Sequence, residues 1–96
     1  MKKQFKLKEF AEKLFETSQD FPEFFDTFRD WMRVHGELEV DNPAKNTETW
    51  RFGNDLVTFT ETRFASTLIE GGWAFFVNFN FENGGTDEWF HHEYDK

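Results

Sequence analysis

Cysteine is absent from this 96-residue chain, which excludes a disulfide framework, a thiolate metal site and a cysteine nucleophile, and predicts a reducing, cytoplasmic setting. Serine is almost as scarce. Ser18 falls between two helical patterns and Ser66 in a strand-like run, and neither sits in a nucleophile elbow. No run approaches the ~18 apolar residues of a membrane span, and Lys6, Lys8, Glu9, Glu12 and Lys13 interrupt any signal-peptide core behind the basic start. The glycine pairs Gly71-Gly72 and Gly84-Gly85 are followed by no helix, so a phosphate loop is not supported. Aliphatic residues are few: five Leu, four Val and one Ile.

In their place stand fifteen Phe and four Trp, in a chain of net charge -8. Aromatic side chains of ~150–250 Å² each can build a rigid core, and any left outside serve as contact anchors. The charge is uneven. Five Lys and two Glu in residues 1–13 give +3, leaving -11 on the remaining 83 residues. Such a field repels phosphate and anionic lipid, so neither nucleic acid nor membrane is expected as a direct partner, and basic proteins are favoured.

The whole chain, 1–96, reads as one domain. Leu7, Phe10, Ala11, Leu14 and Phe15 recur at helical spacing and predict a helix over about 5–17. Asp20 followed by Pro22 and Glu23 is a helix start, and the stripe Phe21, Phe24, Phe25, Phe28, Trp31, Met32, His35 predicts a second helix over 21–35, stopped by Gly36. The short connection implies an antiparallel helical hairpin.

Beyond Gly36 the period changes to two, with strands expected at about 37–40, 47–52, 56–61, 63–70, 73–82 and 86–94. Glu70-Gly71-Gly72-Trp73 suits a two-residue turn that sets Leu68 against Phe75, Ser66 against Val77 and Phe64 against Phe79. One face then carries Phe64, Leu68, Phe75, Val77, Phe79 and Phe81, and the other Ala65, Thr67, Ile69, Phe76, Asn78 and Asn80. The last hairpin turns at Asn83-Gly84-Gly85. A two-residue loop sends Phe90 and Tyr94 inward and Trp89, His91, Glu93 and Asp95 outward, whereas a three-residue loop with a bulge exchanges the sets. The first is preferred. The expected fold is α+β, an N-terminal αα-hairpin packed on an antiparallel β-meander of four to five strands.

His91-His92-Glu93 with Asp95 is the densest group of potential ligands, but adjacent histidines on a strand point to opposite faces, so no metal, cofactor or catalytic residue is assigned. Acids are many, with nothing to single out a catalytic pair, and the chain is read as a non-enzyme. The expected partner-binding surface is an outer sheet face of Phe76 and Trp89 rimmed by Glu82, Asp87, Glu88, Glu93 and Asp95. That combination points to a small acidic protein-binding module whose carboxylates occupy a basic, nucleic-acid-binding groove of another protein. Small phage-type inhibitors of restriction or CRISPR nucleases answer to that description by type, and no motif places the chain among them. The alternatives are sugar or small-ligand binding by Trp50, Trp73 or Trp89 with Asn78 and Asn80, and self-assembly as a homodimer through an open sheet edge or the outer patch.

Overall fold

The computed structural model describes residues 6–64, 71–82 and 84–94, with the backbone alone at Phe64 and Tyr94. Two helices, α1 (Leu7–Thr17) and α2 (Phe21–His35), precede five strands: β1 (Glu37–Asn42), β2 (Thr47–Phe52), β3 (Asp55–Phe64), β4 (Gly72–Asn80) and β5 (Thr86–Tyr94). The strands pair antiparallel in chain order, so β1 and β5 are the two edges. This is the expected α+β architecture.

α2 is the centre of the molecule, and its start is built locally. Asp20 Oδ1 accepts the Glu23 N–H at 2.9 Å, Glu23 reaches back to the Gln19 N–H, and Pro22 occupies the first turn. From there Phe24, Phe25, Phe28 and Met32 are fully buried. They meet the sheet edge-to-face: Phe25 against Phe75 at 5.3 Å, Phe28 against Phe59 at 5.3 Å. α1 adds Leu7 and Ala11 to the same interior. Polar clamps hold the layers in register: Arg33 binds Glu48 on β2 at 2.6 Å, Arg29 binds Glu61 on β3 at 3.4 Å, and Lys8 binds Asp87 on β5 at 2.7 Å.

Gly36 stops α2 for a different reason from the usual left-handed cap. Its φ is -101°, in the extended region. A Cβ there would lie 2.9 Å from both the Arg51 and the Met32 carbonyl oxygens, so the residue is a close-approach glycine that lets β1 leave the helix against β2. The β2–β3 turn is a two-residue loop, Gly53-Asn54, with Phe52 facing Asp55 and Gly53 at φ +62°.

Two registers differ from the sequence expectation. The runs 56–61 and 63–70 are not two strands: β3 continues through to Phe64, and residues 65–70, with Ser66 and Leu68, lie outside the described residues. Gly72 is strand, paired with Phe64 and Tyr94, so the turn expected at Gly71-Gly72 is not there. Phe75, Val77 and Phe79 oppose Glu61, Phe59 and Val57 in place of Leu68, Ser66 and Phe64. This register sets buried Val57 and Phe59 beside buried Val77 and Phe79 in one apolar layer under α2, a longer-range gain that outweighs the local turn signal.

The last hairpin uses the three-residue loop. Phe81 faces Gly85 through a 2.9 Å bond from its N–H to the Gly85 carbonyl, the Gly84 N–H returns to the Phe81 carbonyl at 2.9 Å, and Gly84 takes φ +88°. An odd loop reverses every side chain of β5 relative to an even one. Trp89 and His91 therefore face the helices, and Phe90 and His92 face outward. The core decides this parity: Trp89 packs on Phe24 at 5.1 Å and on Phe79 at 5.8 Å, so the larger ring is the one that enters.

Candidate functional site

The residues expected to form one patch are divided by the sheet. Phe76 is on the outer face, stacked on Phe90 at 6.2 Å, whereas Trp89 is on the helix side. Asp87 is engaged by Lys8, Glu93 lies 3.6 Å from His91, and the Glu82 N–H is bound by Asp55 in the turn. Asp95 lies outside the described residues. Of the expected set, Glu88 and Trp89 share a concave surface.

That surface is an open groove of about 800 Å³ where the helical layer overhangs β5. The last turns of α1 supply Glu12, Phe15 and Glu16; the start of α2 supplies Asp20 and Phe21; β5 supplies Glu88, Trp89, Phe90 and His91. Phe15 reaches Trp89 at 5.7 Å, Phe21 at 5.8 Å and Phe24 at 5.2 Å, all edge-on, yet stays 43% exposed. His91 stacks on Phe21 at 5.3 Å. The floor is thus aromatic and the rim carries four carboxylates against His91 as its one basic side chain. Lys8, 4.4 Å above the Trp89 ring and bound to Asp87 and Glu12, closes one end. Its ammonium holds the Asp87 carboxyl below the ordinary carboxylate value, helped by the Glu88 N–H, and both outweigh the opposing burial.

The sequence reading misses Phe15, Phe21, Phe90 and the acids of α1 here. Phe15 belongs to the helical stripe, and only the lateral placement of α1 over the edge strand leaves it uncovered. A signal was present in the short connection, which brings Glu16 and Asp20 to the same end of the hairpin.

A second cleft, of about 340 Å³, lies between α2 and the sheet and includes Arg29, Glu48, Glu61 and Trp73. Of the carboxylates that line it, Glu48 and Glu61 are already matched by Arg33 and Arg29, and Asp41 lies at its border. Burial alone would raise the Glu48 carboxyl, but hydrogen bonds from Arg33 and Trp50 and the nearby guanidinium charges hold it below the ordinary value. On the outer sheet face Thr47 and Thr60 share a 3.2 Å hydrogen bond, as do Thr49 and Thr58 at 2.9 Å, beside Asn78. Trp50, Trp73 and Trp89 all pack against the core on the helix side, so the sheet separates them from Asn78 and Asn80. Among the described residues no cluster of three His, Asp or Glu side chains is placed to hold a metal ion.

Comparison of the chain with protein-family models, with curated proteins and with solved structures gave no match.

Proposed function

We propose that this protein is a binding module for a basic partner protein, engaged through the groove between α1 and β5. The observation that carries the reading is the composition of that groove: Phe15, Phe21 and Trp89 as floor, with Glu12, Glu16, Asp20 and Glu88 as rim. Aromatic anchors in a partly desolvated cleft supply affinity, and a rim of one sign supplies steering and selection. Overall charge acts in the same direction, since -8 on a small domain accelerates encounter with cations and discourages nucleic acid. Carboxylates on rigid elements compete for the Lys and Arg that otherwise neutralise phosphates, so the partner is a nucleic-acid-binding surface and the consequence is inhibition of its binding. Catalysis is not part of this reading, because Glu48 and Glu61, the acids set deepest in a polar cleft, are spent in ion pairs with Arg33 and Arg29.

The test is displacement. The protein should release labelled nucleic acid from its partner at low salt, and the variant E12Q/E16Q/E88Q should need about tenfold more protein if each rim charge contributes roughly 0.5 kcal/mol. Equal displacement by variant and wild type rules out the acidic rim as the recognition element.

A further inference from the structure

The groove lies where a sixth strand of the sheet would run, and the two edges of the sheet are not alike. β1 is a guarded edge. Its pairing with β2 is broken by a bulge between Leu38 and Val40, and Glu37, Glu39 and Asp41 line it with charge, with Glu39 held by Arg51. β5 carries acids of its own, Asp87, Glu88 and Glu93, and Asp87 Oδ1 accepts the Glu88 N–H at 2.8 Å, but it has no bulge. It pairs with β4 in unbroken register over nine residues, Thr86 to Tyr94, and contains neither proline nor lysine. Among the described residues no strand lies on its outer side. An unbulged edge of this length presents alternate N–H and C=O groups as a template for another chain.

We infer that β5 is a docking edge, and that the basic partner engages it by adding an extended segment as a sixth strand. This rests on the reading of the groove as an acidic protein-binding site and specifies its mode. A strand beside β5 would lie ~4.8 Å from it, under the overhang of α1. Its side chains would alternate between the helix side and the outer side. Helix-side positions would enter the groove: an aromatic or aliphatic residue over Phe15, Phe21 and Trp89, flanked by Lys or Arg facing Glu12, Glu16 and Asp20. Outer positions would meet Phe90, which is 61% exposed, and Glu88. The occupant is therefore a segment alternating in strand period and mixing cationic with bulky apolar residues. A second copy of this chain is disfavoured as occupant by its own charge, since two acidic rims would face each other.

The probe is a nine-residue acetylated, amidated peptide, Thr-Lys-Lys-Phe-Leu-Leu-Lys-Lys-Thr, whose even positions set Phe and Leu between two Lys on one face, with two isomers N-methylated at either its odd or its even interior positions. A strand pairs through one of those amide sets only. Binding is measured by fluorescence anisotropy and the β5 amides are followed by hydrogen exchange. Strand addition predicts that one isomer loses at least about tenfold in affinity while the other binds as the parent does, with exchange slowed along β5. Equal binding by both isomers, or absence of peptide binding, overturns strand addition and leaves the displacement experiment to judge the acidic groove. Isomer-selective binding that E12Q/E16Q/E88Q does not weaken upholds strand addition and overturns the charge reading. A mass of two chains by light scattering, reduced to one by the peptide, assigns the edge to self-pairing and overturns the proposal of a foreign partner.

Discussion

Phe28 touches more of the aromatic interior than any formula of hydrophobic area conveys. Its ring meets Phe59 at 5.3 Å, Phe24 at 5.7 Å, Phe79 at 5.9 Å and Phe10 at 6.2 Å, joining both helices and two strands at one fully buried point. Phe28→Ala should cost about 3–5 kcal/mol, a large part of the stability of a domain this size, and chemical denaturation should show a midpoint near zero denaturant or no folded baseline. Phe15 makes the contrasting case. It also touches three rings, but at 43% exposure its replacement by Ala should cost much less stability than Phe28→Ala while weakening the binding of the basic partner. Asp87 carries a pH signature. Its carboxyl is lowered in the folded state by Lys8, so the stabilisation is complete above the unfolded value of about 3.9 and disappears as pH falls through the lower folded value. Asp87→Asn should therefore lose less stability than wild type on titration from about pH 5 to pH 2, measured by urea midpoints. At neutral pH the same change should cost no more than about 1 kcal/mol, because the carboxylate is well exposed. An acid limb identical in the two proteins would remove the Lys8–Asp87 pair from any role in joining α1 to β5.

At the level of elements, the junction between α2 and β1 is set by Gly36. Backbone oxygens, which cannot rotate aside as a long side chain could, stand 2.9 Å from the place a Cβ would occupy. Gly36→Ala should therefore destabilise by roughly 1–3 kcal/mol, although alanine favours helix and the φ of -101° is open to any residue. A melting temperature unchanged or raised by this substitution would show that β1 can shift without loss. The helical hairpin and the meander are joined by few charged clamps, yet each clamp bridges layers: Arg33 to Glu48, Arg29 to Glu61, Lys8 to Asp87. The consequence for β5 is that its first half is pinned to α1 while, among the described residues, no strand pairs with its outer side.

For the whole molecule, the proposed binding assigns approach to net charge and retention to the groove. Association with a basic partner should slow as ionic strength rises from about 0.01 to 0.15 M, where the screening length falls from ~30 to ~8 Å, while dissociation changes less. Stopped-flow rates that ignore salt would dissociate the charge of -8 from recognition. How far this molecule was legible in its sequence follows the range of the interactions involved. α2 was readable to the residue, because Asp20, Pro22, Glu23 and the Phe24–Phe25–Phe28 stripe act within a few positions of one another. The meander and the α+β class were readable from period alone. Registers were not. A turn formed by Gly71-Gly72 is locally reasonable, and it lost to the alignment of Val57 and Phe59 with Val77 and Phe79, a contact between residues about twenty positions apart. The parity of β5 depended on one loop residue. That single count exchanged Trp89 for Phe90 in the interior and divided the patch that had joined Phe76 to Trp89. The sequence by itself thus determined both helices, the helices-then-antiparallel-strands order and the acidic, aromatic chemistry available, but not where β3 ends, since propensity, periodicity and charge are properties of neighbouring residues. Tertiary structure alone decided which aromatics of β5 are buried, which carboxylates are paired, and that Phe15, Trp89 and the rim acids meet beside the β5 edge. These depend on how α1 is laid across the sheet, and on packing energies that no local stretch of chain contains.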